Sequence, residues 1–197
     1  MNTYCIATIV NHEEITSGIW KMELEASEIA QTARPGQFIQ LYPWDERNML
    51  ARPISLSSIS EKSVTIVYRV VGKGTRQLSK LQNNDRIRVM GPLGNGFALP
   101  DKTEKSIVVQ DLLKKIAPSA GMIFACGPRP MLRSVSEWAK ELSIPIQVSM
   151  EERMACGIGA CLGCGIKIQK QGDSDWKYMR VCKDGPVFSG EEVVWNE

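Results

Sequence analysis

Four thiols carry the most specific chemical signal in this chain. They stand in the order Cys156-x4-Cys161-x2-Cys164, and Cys182 follows after 17 further residues. Three thiolates within nine residues can curl round one edge of a small cluster, and a fourth from a distant loop can close the other side. This is the spacing of plant-type 2Fe–2S centres. Gly157, Gly159, Gly163 and Gly165 lie between or beside the thiols. Residues without Cβ let backbone N–H groups turn toward sulfur, where they stabilise the more negative, reduced cluster. Structural zinc also takes four thiolates, but it usually arrives as two C-x2-C knuckles, and only Cys161 and Cys164 form one. Disulfides suit such a cluster less well in a cytosolic chain. Of the two remaining cysteines, Cys5 sits in an apolar strand and reads as an inert core thiol, while Cys126 precedes Gly127-Pro128.

Two further stretches could hold phosphate. In Arg52-Pro53-Ile54-Ser55, a guanidinium at a strand entry can make a bidentate contact to a phosphate, with the Ser55 hydroxyl further along. Alone, an Arg before a Pro is usually a solvated strand entry. Twenty residues on, Val71-Gly72-Lys73-Gly74-Thr75 leads into a helix whose free N–H groups favour anions; alone, it is an ordinary turn capped by Thr75. Together on one small barrel they make a pyrophosphate clamp. His12, the single histidine, reads as a structural hydrogen-bonder. Glu151 and Glu152 have no partner histidine and read as a solvated loop or an aid to the cysteine loop. The five tryptophans are dispersed and form no stacking platform.

These groups need a scaffold, and 197 residues with 43% hydrophobic and 23% charged side chains are enough for a globular chain that buries roughly 70% of its unfolded surface. Twenty-four basic against 22 acidic residues leave a net charge of +2, which argues against a dedicated nucleic-acid binder. No apolar run is long enough to span a bilayer, and Met1 to Val10 lacks the character of a signal peptide, so a cytoplasmic protein without membrane association is expected. Alternating or β-branched runs at Tyr4–Val10, Ile19–Leu24, Phe38–Tyr42, Ser63–Val71 and Arg86–Met90 predict an antiparallel β-barrel over residues 1–97. A helix near Gly74 carries Leu78 and Leu81 on one face, and Gly91 to Phe97 breaks regular structure. Residues 98–150 change to a βαβαβ grammar: Ile107–Val109, a helix from Asp111, Met122–Ala125, a helix from Met131 to Leu142, and Ile146–Ser149. That is a shortened parallel α/β domain. Residues 151–197 hold the cysteines in a small third domain, making the chain a multidomain α+β protein.

The barrel with Arg52-Pro53-x-Ser55 and Gly72-x-Gly74-Thr75, then Cys126-Gly127-Pro128-Arg129-Pro130-Met131, then Glu151 to Cys164, resembles the iron–sulfur electron-transfer subunit of class 1B dihydroorotate dehydrogenase, in the ferredoxin-NADP reductase superfamily. The resemblance covers nearly the whole chain and implies FAD on the barrel, with Arg52 at the pyrophosphate, Pro53 and Ile54 in the same strand, Ser55 near the isoalloxazine, and Gly72, Gly74 and Thr75 at the phosphates. It also implies a 2Fe–2S cluster on Cys156, Cys161, Cys164 and Cys182. The partner it implies is a separate FMN-bearing catalytic subunit, in a heterotetramer serving pyrimidine biosynthesis. The chain is then an oxidoreductase subunit rather than a stand-alone enzyme.

Members of that family carry a Gly-rich turn that cradles the nicotinamide dinucleotide. Here no glycine stands between Phe97 and Gly121, and Ile107-Val108-Val109-Gln110-Asp111 occupies the corresponding run. Bulky β-branched side chains and a carboxylate oppose a close-lying pyrophosphate, so poor NAD binding is expected, as after an internal deletion. Two other functions fit the residues: an FAD/2Fe–2S adaptor of a hydrogenase-like or sulfur-reducing complex, and a zinc-stabilised interaction module.

Overall fold

The computed structural model describes residues 3–42, 50–99 and 121–195. The chain divides into two compact units, Met1–Leu93 with Met154–Cys161, and Gly94–Arg153 with Leu162–Glu197. In the first, β1 (Thr3–Thr16), β2 (Ile19–Glu25), β3 (Phe38–Tyr42), β4 (Arg52–Ile59), β5 (Ser63–Arg69) and β6 (Arg86–Leu93) close into a barrel in the order β1-β2-β5-β4-β3-β6. All neighbours are antiparallel. Period-2 alternation builds it: Val64, Ile66 and Tyr68 of β5 are buried while Val67 and Arg69 are exposed. Each fully buried Ile or Leu contributes about 1.5–3 kcal/mol. The short α1 (Ser27–Ala30) buries Ile29 and Ala30, and α2 (Lys73–Leu78) buries Leu78. Leu81, just beyond α2, packs on the same core.

Two strands run further than their apolar patterns. β1 continues past Val10 because Asn11 to Glu14 pair with Glu23 to Trp20 of β2. That ribbon is held by its ladder rather than by burial, so alternation could not announce it. β6 passes through Gly91-Pro92 to Leu93, where Gly91 lies opposite Thr3 and Leu93 opposite Phe38. A Cβ at Gly91 would meet the Ile39 side chain at 2.6 Å, so here the glycine permits close packing rather than breaking the strand.

In the second unit, β7 (Ile123–Cys126) and β8 (Ile146–Ser149) are parallel and joined through α3 (Arg129–Glu141). Leu132, Val135, Ser136 and Ala139 form the buried face of α3. β9 (Gly165–Ile168) and β10 (Lys177–Arg180) form an antiparallel pair, and β11 (Val187–Ser189) adds antiparallel to β8. The expected strand Ile107–Val109 and the helix from Asp111 lie outside the described residues, as does Trp44. Among the described residues no helix is long and apolar enough to cross a membrane.

Candidate cofactor sites

Arg52 opens β4 opposite Leu41 of β3. Its Nη1 donates to the carbonyls of Leu50 at 2.6 Å and Ala51 at 3.4 Å. Gly74, in the first turn of α2, lies against the same guanidinium, and a Cβ there would fall on Arg52 Nε. Glycine at 74 is therefore what lets the start of α2 approach Arg52. Thr75 acts inside this turn rather than as its cap: Oγ1 accepts from the backbone N–H of Val71 at 3.0 Å and Gly72 at 3.2 Å, and Gly72 is the N-cap. Pro53 and Ile54 are half-buried, and Ser55 is exposed opposite Phe38. A guanidinium fork beside a backbone without side chain suits a diphosphate.

Within the first unit the structure brings Cys156 and Cys161 together. Cys161 N–H donates to Cys156 Sγ at 3.3 Å, and the two sulfurs are also 3.3 Å apart. Gly157 at φ +65° and Gly159 at φ +83° adopt left-handed backbone, which turns the loop's N–H groups inward. Desolvation opposes a charged Cys156, but hydrogen bonds from the backbones of Cys161, Ile158 and Ala160 and from the Cys161 thiol outweigh it and lower its pKa to about 6. The backbone N–H groups turned toward Cys156 favour its thiolate, the form that ligates metal. Cys164 and Cys182 are both buried. Cys164 immediately precedes β9, and its carbonyl accepts from Val181 N–H at 3.0 Å at the end of β10. The turn holding Cys182 is closed by Asp184, whose Oδ2 accepts from the Arg180 backbone at 2.8 Å and from its Nε at 3.0 Å. That ion-paired hydrogen bond holds the Asp184 carboxyl below the usual range. Among the described residues no three ligating side chains converge, and none of the six cysteines is in a disulfide.

Sequence reasoning missed Gln40. It is 1% exposed, although its side chain lies on the face of β3 opposite Ile39 and Leu41, which enter the barrel core. Its Nε2 donates to the Cys156 carbonyl at 3.2 Å, and its Oε1 accepts from Tyr42 OH at 2.9 Å. A Cβ at Gly157 would fall on Gln40 Nε2. A lone Gln in an apolar strand carries no periodic or motif signal; its anomaly is only that a polar residue interrupts Phe38 to Leu41. The minor candidates are structural. Glu152 pairs with Arg129 at 3.3 Å. His12 donates from Nδ1 to the Leu81 carbonyl at 2.8 Å, since a carbonyl only accepts, and its Nε2 receives Tyr68 OH at 2.9 Å.

Residues 151–194 match the iron-sulfur cluster binding domain of dihydroorotate dehydrogenase B. Over nearly its whole length the chain is similar to proteins named dihydroorotate dehydrogenase B (NAD(+)), electron transfer subunit. That of Desulforamulus reducens is 30% identical, with 92% of this chain and 95% of the relative covered. That of Caldanaerobacter subterraneus subsp. tengcongensis is 29% identical, with 96% and 98% covered. This second alignment spans 246 positions, whereas 96% of 197 residues is about 189, so roughly 57 positions of the relative have no counterpart here. Among solved structures, an NADH-dependent reduced ferredoxin-NADP oxidoreductase matches with TM-score 0.82 at 22% identity, covering 97% of this chain and 90% of that one. The ferredoxin reductase of carbazole 1,9a-dioxygenase matches with TM-score 0.58 at 14% identity, with 75% and 67% covered. The barrel and the α/β unit thus have the reductase fold, and FAD and a 2Fe–2S cluster as cofactors agree with the matched domain, that fold and the relatives. The chain belongs to the family of electron transfer subunits of dihydroorotate dehydrogenase B.

Proposed function

We propose that this chain receives electrons from the FMN of a cytoplasmic dihydroorotate dehydrogenase catalytic subunit, with which it assembles as a heterotetramer, and passes them toward NAD or another acceptor. Cys156, Cys161, Cys164 and Cys182 ligate the 2Fe–2S cluster. Arg52 and the Gly72 to Thr75 turn would hold the FAD diphosphate, with Ser55 near the isoalloxazine. When bound, the cluster supplies a one-electron step and the flavin joins one-electron to two-electron transfer. The protein's part is to hold the thiols as thiolates, to neutralise phosphate charge and to fix both groups.

One observation carries this reading. Within a segment that matches an iron–sulfur domain, the Cys156 sulfur is surrounded by hydrogen-bond donors that favour the thiolate. The adaptor role in another complex keeps the same cofactors and differs only in partner. The roughly 57 missing positions, with no glycine between Phe97 and Gly121, favour a non-NAD acceptor. Anaerobic purification with metal and flavin assay tests the assignment. Iron, sulfide and FAD together with co-purification of an FMN protein that oxidises dihydroorotate are expected. A colourless protein with zinc in place of iron contradicts it.

A further inference from the structure

We infer that Gln40 is the positioning residue that fixes the Cys156 end of the cluster-binding loop onto the flavin-binding barrel. The inference rests on the cofactor assignment above. Gln40 stands on the outward face of β3, which solvent would ordinarily wet, yet it is buried. The same unit contains the loop Met154–Cys161, and Gly157 of that loop lies so close to the Gln40 amide that a side chain there would displace the amide from its place.

The amide has one workable orientation. The Cys156 carbonyl can only accept, so Nε2 must face it; Oε1 is then left to accept from Tyr42 OH, two residues along on the same face. Tyr42 is braced in turn by the edge of Tyr4, with ring centroids 5.6 Å apart. A row of fixed groups, Tyr4, Tyr42 and Gln40, thus ends on the peptide of a cluster ligand. The register ties this row to the flavin side: Gln40 pairs with Pro53 and Phe38 with Ser55 across the β3–β4 ladder. One strand pair therefore presents the FAD motif along one strand and the anchor of the first ligand along the other. An apolar residue at 40 would leave the Cys156 carbonyl without its donor. A glutamate would keep Tyr42's acceptor and, as a carboxylate, would turn an acceptor toward the Cys156 carbonyl.

Gln40→Glu and Gln40→Leu, made in the holoprotein, test this by three readouts: FAD content, the EPR spectrum of the dithionite-reduced cluster, and iron release to a chelator. The expected result is wild-type FAD content, altered g values, and iron release roughly 10-fold faster, the scale on which groups supporting a ligand act. Tyr42→Phe, which leaves Nε2 in place and frees only Oε1, is expected to shift the spectrum less and serves if either Gln40 variant fails to accumulate. Wild-type spectra and iron release in every variant recovered overturn the role of Gln40. So does loss of FAD in parallel with iron, which would mark Gln40 as a general barrel residue. A wild-type protein without iron overturns instead the cluster assignment on which the inference rests.

Discussion

Arg52 and Gly74 form a single device at the residue scale, because the guanidinium occupies the space where a side chain at 74 would begin. Arg52→Ala removes a charge-assisted contact, typically about 1.5–3 kcal/mol, and is expected to weaken FAD binding about 10- to 150-fold by fluorescence titration. Gly74→Val is expected to weaken it comparably by displacing the guanidinium, with Arg52 still present. Unchanged flavin affinity in both variants would remove the clamp. Cys182→Ser is expected to lose the visible bands of the cluster, and full iron and sulfide retention would reject Cys182 as a ligand. The cysteine spacing and the two candidate phosphate-binding stretches stood out in the sequence because each needs particular residue types at particular intervals, and the structure places Gly74 against Arg52. Gln40 was not, since its importance arises from a loop more than a hundred residues away that covers it. Leaving such a buried amide unsatisfied costs about 1–3 kcal/mol per group, but only the fold reveals that it is buried.

Strand existence was readable in β5, because apolar alternation is the record of one buried face, but not in the short β9, although Ile166 and Ile168 are buried there. Strand length was not readable. β1 gains its extra residues from ladder pairing of polar side chains such as Glu13 and Lys21, which lie 3.6 Å apart, and β6 runs on where Gly91 packs against Ile39. The turn after β10 positions Cys182 by a different means. The N–H groups of Lys183, Asp184 and Gly185 converge on the Arg180 carbonyl, and Asp184 closes the loop through the Arg180 backbone and guanidinium. Asp184→Ala removes both closures. It is expected to speed iron release to a chelator while leaving FAD content at the wild-type level, because the barrel is a separate compact unit. Equal iron release in variant and wild type would show that the turn holds Cys182 without the carboxylate.

At the scale of the whole molecule, the chain aligns with almost the full length of relatives whose names include NAD(+), yet roughly 57 positions of one such relative have no counterpart in it. The missing Gly-rich turn makes a shortened middle domain an expectation from the sequence, and residues 100–120 lie outside the described residues. Stopped-flow mixing of NADH with holoprotein is expected to give little or slow flavin bleaching, because the backbone approach and helix N-terminus that anchor a dinucleotide pyrophosphate are absent from the sequence pattern. Rapid bleaching that saturates at micromolar NADH would contradict this. The proposed function is electron transfer from a partner flavin through the cysteine-bound cluster. Its most direct measurement is anaerobic addition of dihydroorotate to the complex purified with its FMN subunit, followed by EPR at cryogenic temperature. A reduced 2Fe–2S signal is expected to appear with dihydroorotate and to be lost in Cys182→Ser. Oxidation of dihydroorotate by the complex without any reduced-cluster signal would contradict it.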